Sequence, residues 1–239
     1  MSVRGGVLTA DRPGGPVAIV DYGLGNLFSV EQACRAVGLS ASITRDRRAI
    51  EQADAVILPG VGAFGDAMAT LQRLDLVGVL RGVAGSGRPF IGICLGVQLL
   101  MNESCEFGRH EGLALIPGQV VPLGHPREGD RRLKVPQVGW NRIHAARGSA
   151  ADWTATPLAG LADGEFMYFV HSYIVVPDDA SVVVSTTRYG DVDFCSSLQS
   201  GNIFACQFHP ERSGRRGLQM YANLHKMIHT HEPLARNSE

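Results

Sequence analysis

The sequence predicts an α/β protein whose first half is a doubly wound, mainly parallel sheet and whose second half adds antiparallel strands. Short continuous apolar runs at 17–20, 55–58 and 89–93 suit strands buried on both faces, and they alternate with segments of helical periodicity. Glycine-rich stretches around Gly23-Leu24-Gly25 and Gly60-Val61-Gly62 follow two of these runs, which gathers their loops at one edge of the sheet. From residue 119 onward the apolar runs are shorter, and the links between them are too short for crossover helices.

In chain order, strand 17–20 ends in Asp21-Tyr22-Gly23-Leu24-Gly25-Asn26, and a helix is predicted over 27–37. The position of a third dinucleotide-motif glycine is held by Phe28, so the phosphate-binding G-x-G-x-x-G pattern is not met. A second strand is expected at 41–44 and a third at 55–58, followed by a loop to Gly65 and a helix capped by Asp66 and running to Leu74. Residues 76–83 read as a further helix, 89–93 as a strand, and the helical pattern resumes at Val97. Later strands are expected at 119–121, 134–136, 140–143, 166–170, 174–176, 182–184, 194–198 and 203–207. A polar surface loop is expected between Leu123 and Lys134, and a final amphipathic helix over 215–229. Residues 1–16 read as a flexible N-terminal extension, 17–230 as one domain and 231–239 as a loose tail.

Composition narrows the function classes. A net charge of −1 over 239 residues gives no broad electrostatic footprint for nucleic acid or an anionic membrane surface. The five cysteines are odd in number and form no C-x-x-C pair, which points to a reducing compartment without a disulfide framework. With no signal-peptide core in the first residues and no apolar run of about 18 residues, a soluble, cytoplasmic protein is expected. The eight histidines show no ligand spacing, so neither a metal nor another cofactor is expected.

The stretch Gly92-Ile93-Cys94-Leu95-Gly96-Val97-Gln98 carries the chemistry. A buried strand turns sharply into a helix with a cysteine at the corner, an arrangement like the nucleophile elbow of hydrolases. A sulfur at a helix start is biased towards the reactive thiolate. The same pattern also fits a small buried cysteine packing as a hydrophobe. Downstream, Gln207-Phe208-His209-Pro210-Glu211 supplies an imidazole and a carboxylate two residues apart. If Pro210 keeps the chain extended, both face one side and form a couple that can serve a nucleophile; a surface His and Glu beside a turn proline is the alternative.

Taken in order, Pro59-Gly60-Val61-Gly62, Gly92-Ile-Cys94-Leu-Gly-Val-Gln98 and Phe208-His-Pro-Glu211 resemble the class I glutamine amidotransferases. The runs 21–27, 59–64, Val135-Pro-Gln-Val-Gly-Trp-Asn141 and Val170-His-Ser-Tyr173 are similar to one branch, the glutaminase subunits of imidazole glycerol phosphate synthase. The resemblance spans roughly 17–230. It implies a flavodoxin-like, three-layer α/β fold and a Cys94-His209-Glu211 triad that releases ammonia from glutamine. It further implies oxyanion donors at the backbone of Val61 and Leu95, and substrate contacts from Gly60, Gly62, Gln98, Glu106, His171, Ser172 and Tyr173. A (β/α)8-barrel cyclase subunit is the implied heterodimer partner, faced by Asn26, Pro136, Trp140 and Asn141. Arg212 stands where that family often has lysine.

Overall fold

A computed structural model describes residues 16–146 and 153–230. Of the expected terminal segments, residues 1–15 and 231–239 lie outside that range. The first half runs β1 (Val17–Val20), α1 (Leu27–Ala36), β2 (Ala41–Thr44), α2 (Arg47–Gln52), β3 (Val56–Gly60), α3 (Phe64–Arg73), α4 (Val77–Gly85), β4 (Phe90–Cys94) and α5 (Leu95–Leu99). Short strands β5 (Glu103–Ser104) and β6 (His110–Glu111) follow, then β7 (Gly118–Pro122) and the small hairpin β8 (Arg127–Glu128) and β9 (Arg131–Arg132). The chain continues through β10 (Gln137–Ala145), β11 (Glu165–His171), β12 (Tyr173–Pro177), β13 (Val183–Tyr189), β14 (Val192–Ser200), β15 (Ile203–Cys206), a 3-10 turn (Pro210–Arg212) and α6 (Gly214–Thr230).

Nine strands form one sheet in the order β11-β10-β13-β14-β15-β4-β3-β1-β2. The five strands from β15 to β2 are parallel, and the four beyond β15 are antiparallel, as the chain's short links require. Alternation along the buried strands sends side chains to two separate cores. Ala18, Val20, Val56 and Leu58 pack with α2, α3 and α4, whereas Val17, Ile19, Ile57, Ile91 and Ile93 pack with α1 and α6. The result is three layers, helix-sheet-helix, and it explains why those strands read as unbroken apolar runs. A second sheet, β12-β7-β5-β6, lies beside the first.

Some expectations are corrected. Residues 134–136 form no strand; they bend into β10, where Pro136 has no N–H to give a ladder. Asp66 does not cap α3: the helix starts two residues earlier with Ala63 at the N-cap, leaving Asp66 in the first turn. Asn26 and Asp46 do act as caps, accepting the N–H groups of Ser29 and Ala49 at 3.4 and 2.8 Å. The polar stretch after Leu123 is partly ordered as the β8–β9 hairpin, with Arg131 paired to Glu128.

Candidate active site

Cys94 ends β4 at φ +54° and ψ −108°, a conformation that strains any residue other than glycine. Its two flanking glycines are required by space. A Cβ on Gly96 would lie 1.9 Å from the Leu58 carbonyl oxygen, and one on Gly92 would lie 3.0 Å from both Ala205 Cβ and the Gly96 backbone. The chain can therefore fold back tightly under the cysteine, which it leaves 5% exposed at the carboxyl end of a central parallel strand. Ligands of open α/β sheets bind at that edge.

Strand register assembles the rest. On one side of β4, Gly60 pairs with Cys94; on the other, Cys206 pairs with Ile93, so the next residue, Gln207, comes alongside the sulfur. The Gln207 carboxamide nitrogen donates to Cys94 Sγ at 3.7 Å, and the Val170 carbonyl lies 3.8 Å from the same sulfur. Two residues past Gln207, His209 Nδ1 bonds Glu211 Oε1 at 2.8 Å, with both side chains buried. The couple forms for a reason other than the one expected. His209 is extended, but Pro210–Arg212 is a 3-10 turn that folds Glu211 back under the ring. The His209 backbone is clamped as well: its N–H donates to the Tyr168 carbonyl at 2.8 Å, and Ser213 Oγ donates to its carbonyl at 2.6 Å.

Burial, the largest single influence on His209, disfavours its charged form. The neighbouring Cys94 and the Glu211 carboxylate together outweigh that and push its pKa up to about 10. His209 Nε2 makes no full hydrogen bond to any described residue, yet the sulfur is near enough to couple to its charge. Burial drives the other interior thiols the opposite way from reactivity: Cys34 and Cys195 rise to about 12, and Cys206 is pushed well above the usual thiol range.

A cavity of about 300 Å³ opens in front of Cys94. Val61, Gly62, Leu95, Gln98, Glu106, His171, Ser172 and Tyr173 all line it, together with Pro136 and Val170. Gly60 sits just behind, against the Tyr22 hydroxyl, which donates to the Pro59 carbonyl at 2.8 Å. His209 and Glu211 do not line the cavity. Burial pushes the His171 pKa down to about 4, so its ring is neutral. Its Nδ1 faces the Tyr173 carbonyl at 3.0 Å and its Nε2 faces the Gln137 carboxamide oxygen at 3.1 Å, which fix the plane of the ring. Glu106 has a structural duty besides facing the cavity, because its Oε2 accepts the Phe64 N–H at 2.6 Å and does the capping that Asp66 does not.

Residues 18–227 match the family model of "Glutamine amidotransferase class-I". The chain is 46% identical to the imidazole glycerol phosphate synthase subunit HisH of Aquifex aeolicus, over 86% of this chain and 93% of that one. It is 48% identical to the HisH subunit of Syntrophotalea carbinolica, over 88% of this chain and all of that one. The chain belongs to the class I glutamine amidotransferase family, among the HisH subunits. Its fold is shared at greater distance by PurLQS of Thermotoga maritima (TM-score 0.62, 21% identity, 87% and 96% of the two chains). The glutaminase domain of Trypanosoma brucei CTPS also shares it (TM-score 0.59, 15% identity, 91% and 94%).

On this amidotransferase, three of the four expected partner-facing residues are on the surface. Asn26 and Pro136 are exposed, and Trp140 is 55% exposed, edge-on to Tyr168 at 6.1 Å between ring centroids. The fourth, Asn141, points to the other side of β10; its amide donates to the Arg188 carbonyl at 2.9 Å and its oxygen accepts the Arg142 N–H. Arg212, in the place often taken by lysine, stacks over Tyr168 at 4.4 Å. Sequence reasoning passed over Gln207, Gln137 and Tyr22. Gln207 alone had a usable signal, a buried amide two residues before the histidine on the same strand end.

Proposed function

We propose that this chain is the glutaminase subunit of an imidazole glycerol phosphate synthase in histidine biosynthesis, built as one amidotransferase domain over residues 17–230. The observation that carries the residue assignments is the meeting of Cys94, which lines the cavity, with the buried His209-Glu211 pair that couples to it. Cys94 thiolate attacks the side-chain amide carbon of glutamine, forming a C–S bond and an oxyanion. The oxyanion is held by the backbone N–H of Leu95 and one from the Gly60-Val61-Gly62 loop, where loss of a donor typically costs about 10²–10³ in rate. As the intermediate collapses, the C–N bond breaks and His209 gives its proton to the departing nitrogen, releasing ammonia. Water then attacks the thioester, His209 takes its proton, and the C–S bond breaks to give glutamate and the thiolate. Glu211 orients His209 and stabilises the imidazolium.

Substrate fits the remaining lining. Gln98 and Glu106 each have one atom anchored inside the protein, leaving the Gln98 oxygen and the second Glu106 oxygen for the ammonium and amide ends of glutamine. The backbone of His171-Ser172-Tyr173 and Gly62 closes around it. Ammonia in water near neutral pH is mostly protonated and non-nucleophilic, which favours direct delivery to a (β/α)8-barrel cyclase docked as a heterodimer over Asn26, Pro136 and Trp140, with Asn141 supporting the strand behind them. That cyclase combines ammonia with a phosphoribulosyl-formimino ribonucleotide to make imidazole glycerol phosphate and an aminoimidazole carboxamide ribotide. Five free cysteines suit a cytoplasmic setting.

The test is glutamine hydrolysis by the full chain alone, with the cyclase subunit, and with that nucleotide added. Low, modest and high rates are expected in turn, and Cys94→Ala abolishes all three. Equal rates with and without the partner contradict the coupling, and activity surviving in Cys94→Ala ends the mechanism.

A further inference from the structure

The hydrogen bonds around the sulfur have a direction that can be read without knowing which end of any carboxamide is which. Gln98 Nε2 contacts the Tyr173 carbonyl at 3.2 Å, and a carbonyl only accepts, so that end of Gln98 is its nitrogen. The same nitrogen contacts the Gln207 carboxamide at 3.1 Å, so the Gln207 atom there is its oxygen. The amino group of Gln207 is thereby turned towards Cys94 Sγ, 3.7 Å away. Gln207 is 0% exposed, and its backbone N–H is fixed to the Ser196 carbonyl at 2.9 Å.

We propose that Gln207 is a further catalytic residue, whose side-chain N–H donates to the Cys94 sulfur and holds it as an aligned thiolate. The assignment rests on the amidotransferase reading of the site and adds to it a donor outside the Cys94-His209-Glu211 triad. A donor shielded from water gives a charge-assisted bond to a thiolate and only a weak contact to a neutral thiol. It therefore favours loss of the S–H proton, which His209 Nε2 takes up, and it favours return of the sulfur as leaving group when the thioester is hydrolysed. No atom of Gln207 is consumed. The relay also reaches the substrate cavity, since Gln98 lines it and Tyr173 supplies the anchoring carbonyl. Other titratable groups facing the sulfur are His209 with Glu211 behind it, Tyr22 from the loop after β1, Cys206 from β15, and His171 and Glu106 around the cavity.

The experiment follows iodoacetamide labelling of Cys94 against pH in the full chain, read on the Cys94 peptide by mass spectrometry so that exposed Cys105 does not interfere. In Gln207→Met, which keeps the volume and loses the donor, the labelling midpoint rises by about one pH unit, a roughly ten-fold slower reaction below it. In Gln207→Glu a carboxylate beside the sulfur raises it further. A merely structural glutamine would lower the melting temperature and leave the midpoint in place. In the unsubstituted chain, the side-chain amide resonance of Gln207 titrates with the same midpoint and stops doing so in Cys94→Ala. Unmoved midpoints in folded variants overturn the assignment, as does an amide resonance blind to the thiol. If the unsubstituted complex hydrolyses glutamine while either result is obtained, only the role of Gln207 is lost; if it does not, the amidotransferase reading itself fails.

Discussion

At the scale of single residues, two histidines on either side of one cysteine are driven in opposite directions. His171, 6% exposed, has its pKa lowered to about 4, first by burial and further by the charge of His209, against the bond to the Tyr173 carbonyl. The unfolded chain therefore binds more protons between about pH 6.5 and 4. The contribution of a neutral His171 is whole above 6.5 and erodes on acidification, by about 3 kcal/mol in all. Urea unfolding from pH 7 to 4 is expected to show the stability advantage of the unsubstituted chain over His171→Asn shrinking as pH falls; a constant gap contradicts it. His209 has the opposite sign. Its raised pKa means that its stabilisation is complete below about pH 6.5 and is lost as pH climbs through about 10, which keeps the imidazolium available at neutral pH.

At the scale of elements, the β4–α5 corner depends on glycine for close approach. Gly96→Ala is expected to destabilise the fold by about 3 kcal/mol or more, because its methyl meets the rigid Leu58 carbonyl. Gly92→Ala, whose contacts are at 3.0 Å, is expected to cost less, near 1 kcal/mol. Denaturant titration of the pair checks the order, and equal losses would contradict it. Because Gly96 also sets the position of Cys94, its variant should lose about 10²-fold in glutaminase rate even where it stays folded. Most elements were legible from local pattern. Buried parallel strands announce themselves as four or five apolar residues in a row, as at 17–20, whose bounds match; the more exposed edge strand at 41–44 also matches its observed bounds. One failure had a local cause, since Val135 suggested a strand that Pro136 prevents; the other did not, since Asp66 resembled a cap whose place Glu106 fills from 42 residues away.

At the scale of the whole molecule, β11 links the surface to the sulfur. Phe166 and Trp140 lie on an exposed aromatic face, the Tyr168 carbonyl receives the His209 N–H, and the Val170 carbonyl reaches Cys94. In the docking proposed above, the partner would sit on the strand that bonds the His209 backbone and approaches Cys94. Trp140→Ala is expected to weaken association with the cyclase subunit by about 30-fold or more, as removal of a central aromatic anchor does, with little change in thermal unfolding. Calorimetric titration measures the first and a melting curve the second; unchanged affinity would remove Trp140 from the interface. No helix among the described residues is long and apolar enough to cross a membrane.

Local pattern in the chain was enough for most of the strands and helices, though not for α2, and for the glycine-flanked cysteine corner and the short His-Pro-Glu segment, because each depends on residues within one or two turns of chain. Packing between distant segments settled which groups stand beside the sulfur. Gln207 reaches it across 113 residues, His171 becomes neutral, Glu106 caps a distant helix and Trp140 faces outward. Those outcomes follow from strand register and burial, which are set by packing between distant segments and leave no periodic trace in either segment alone.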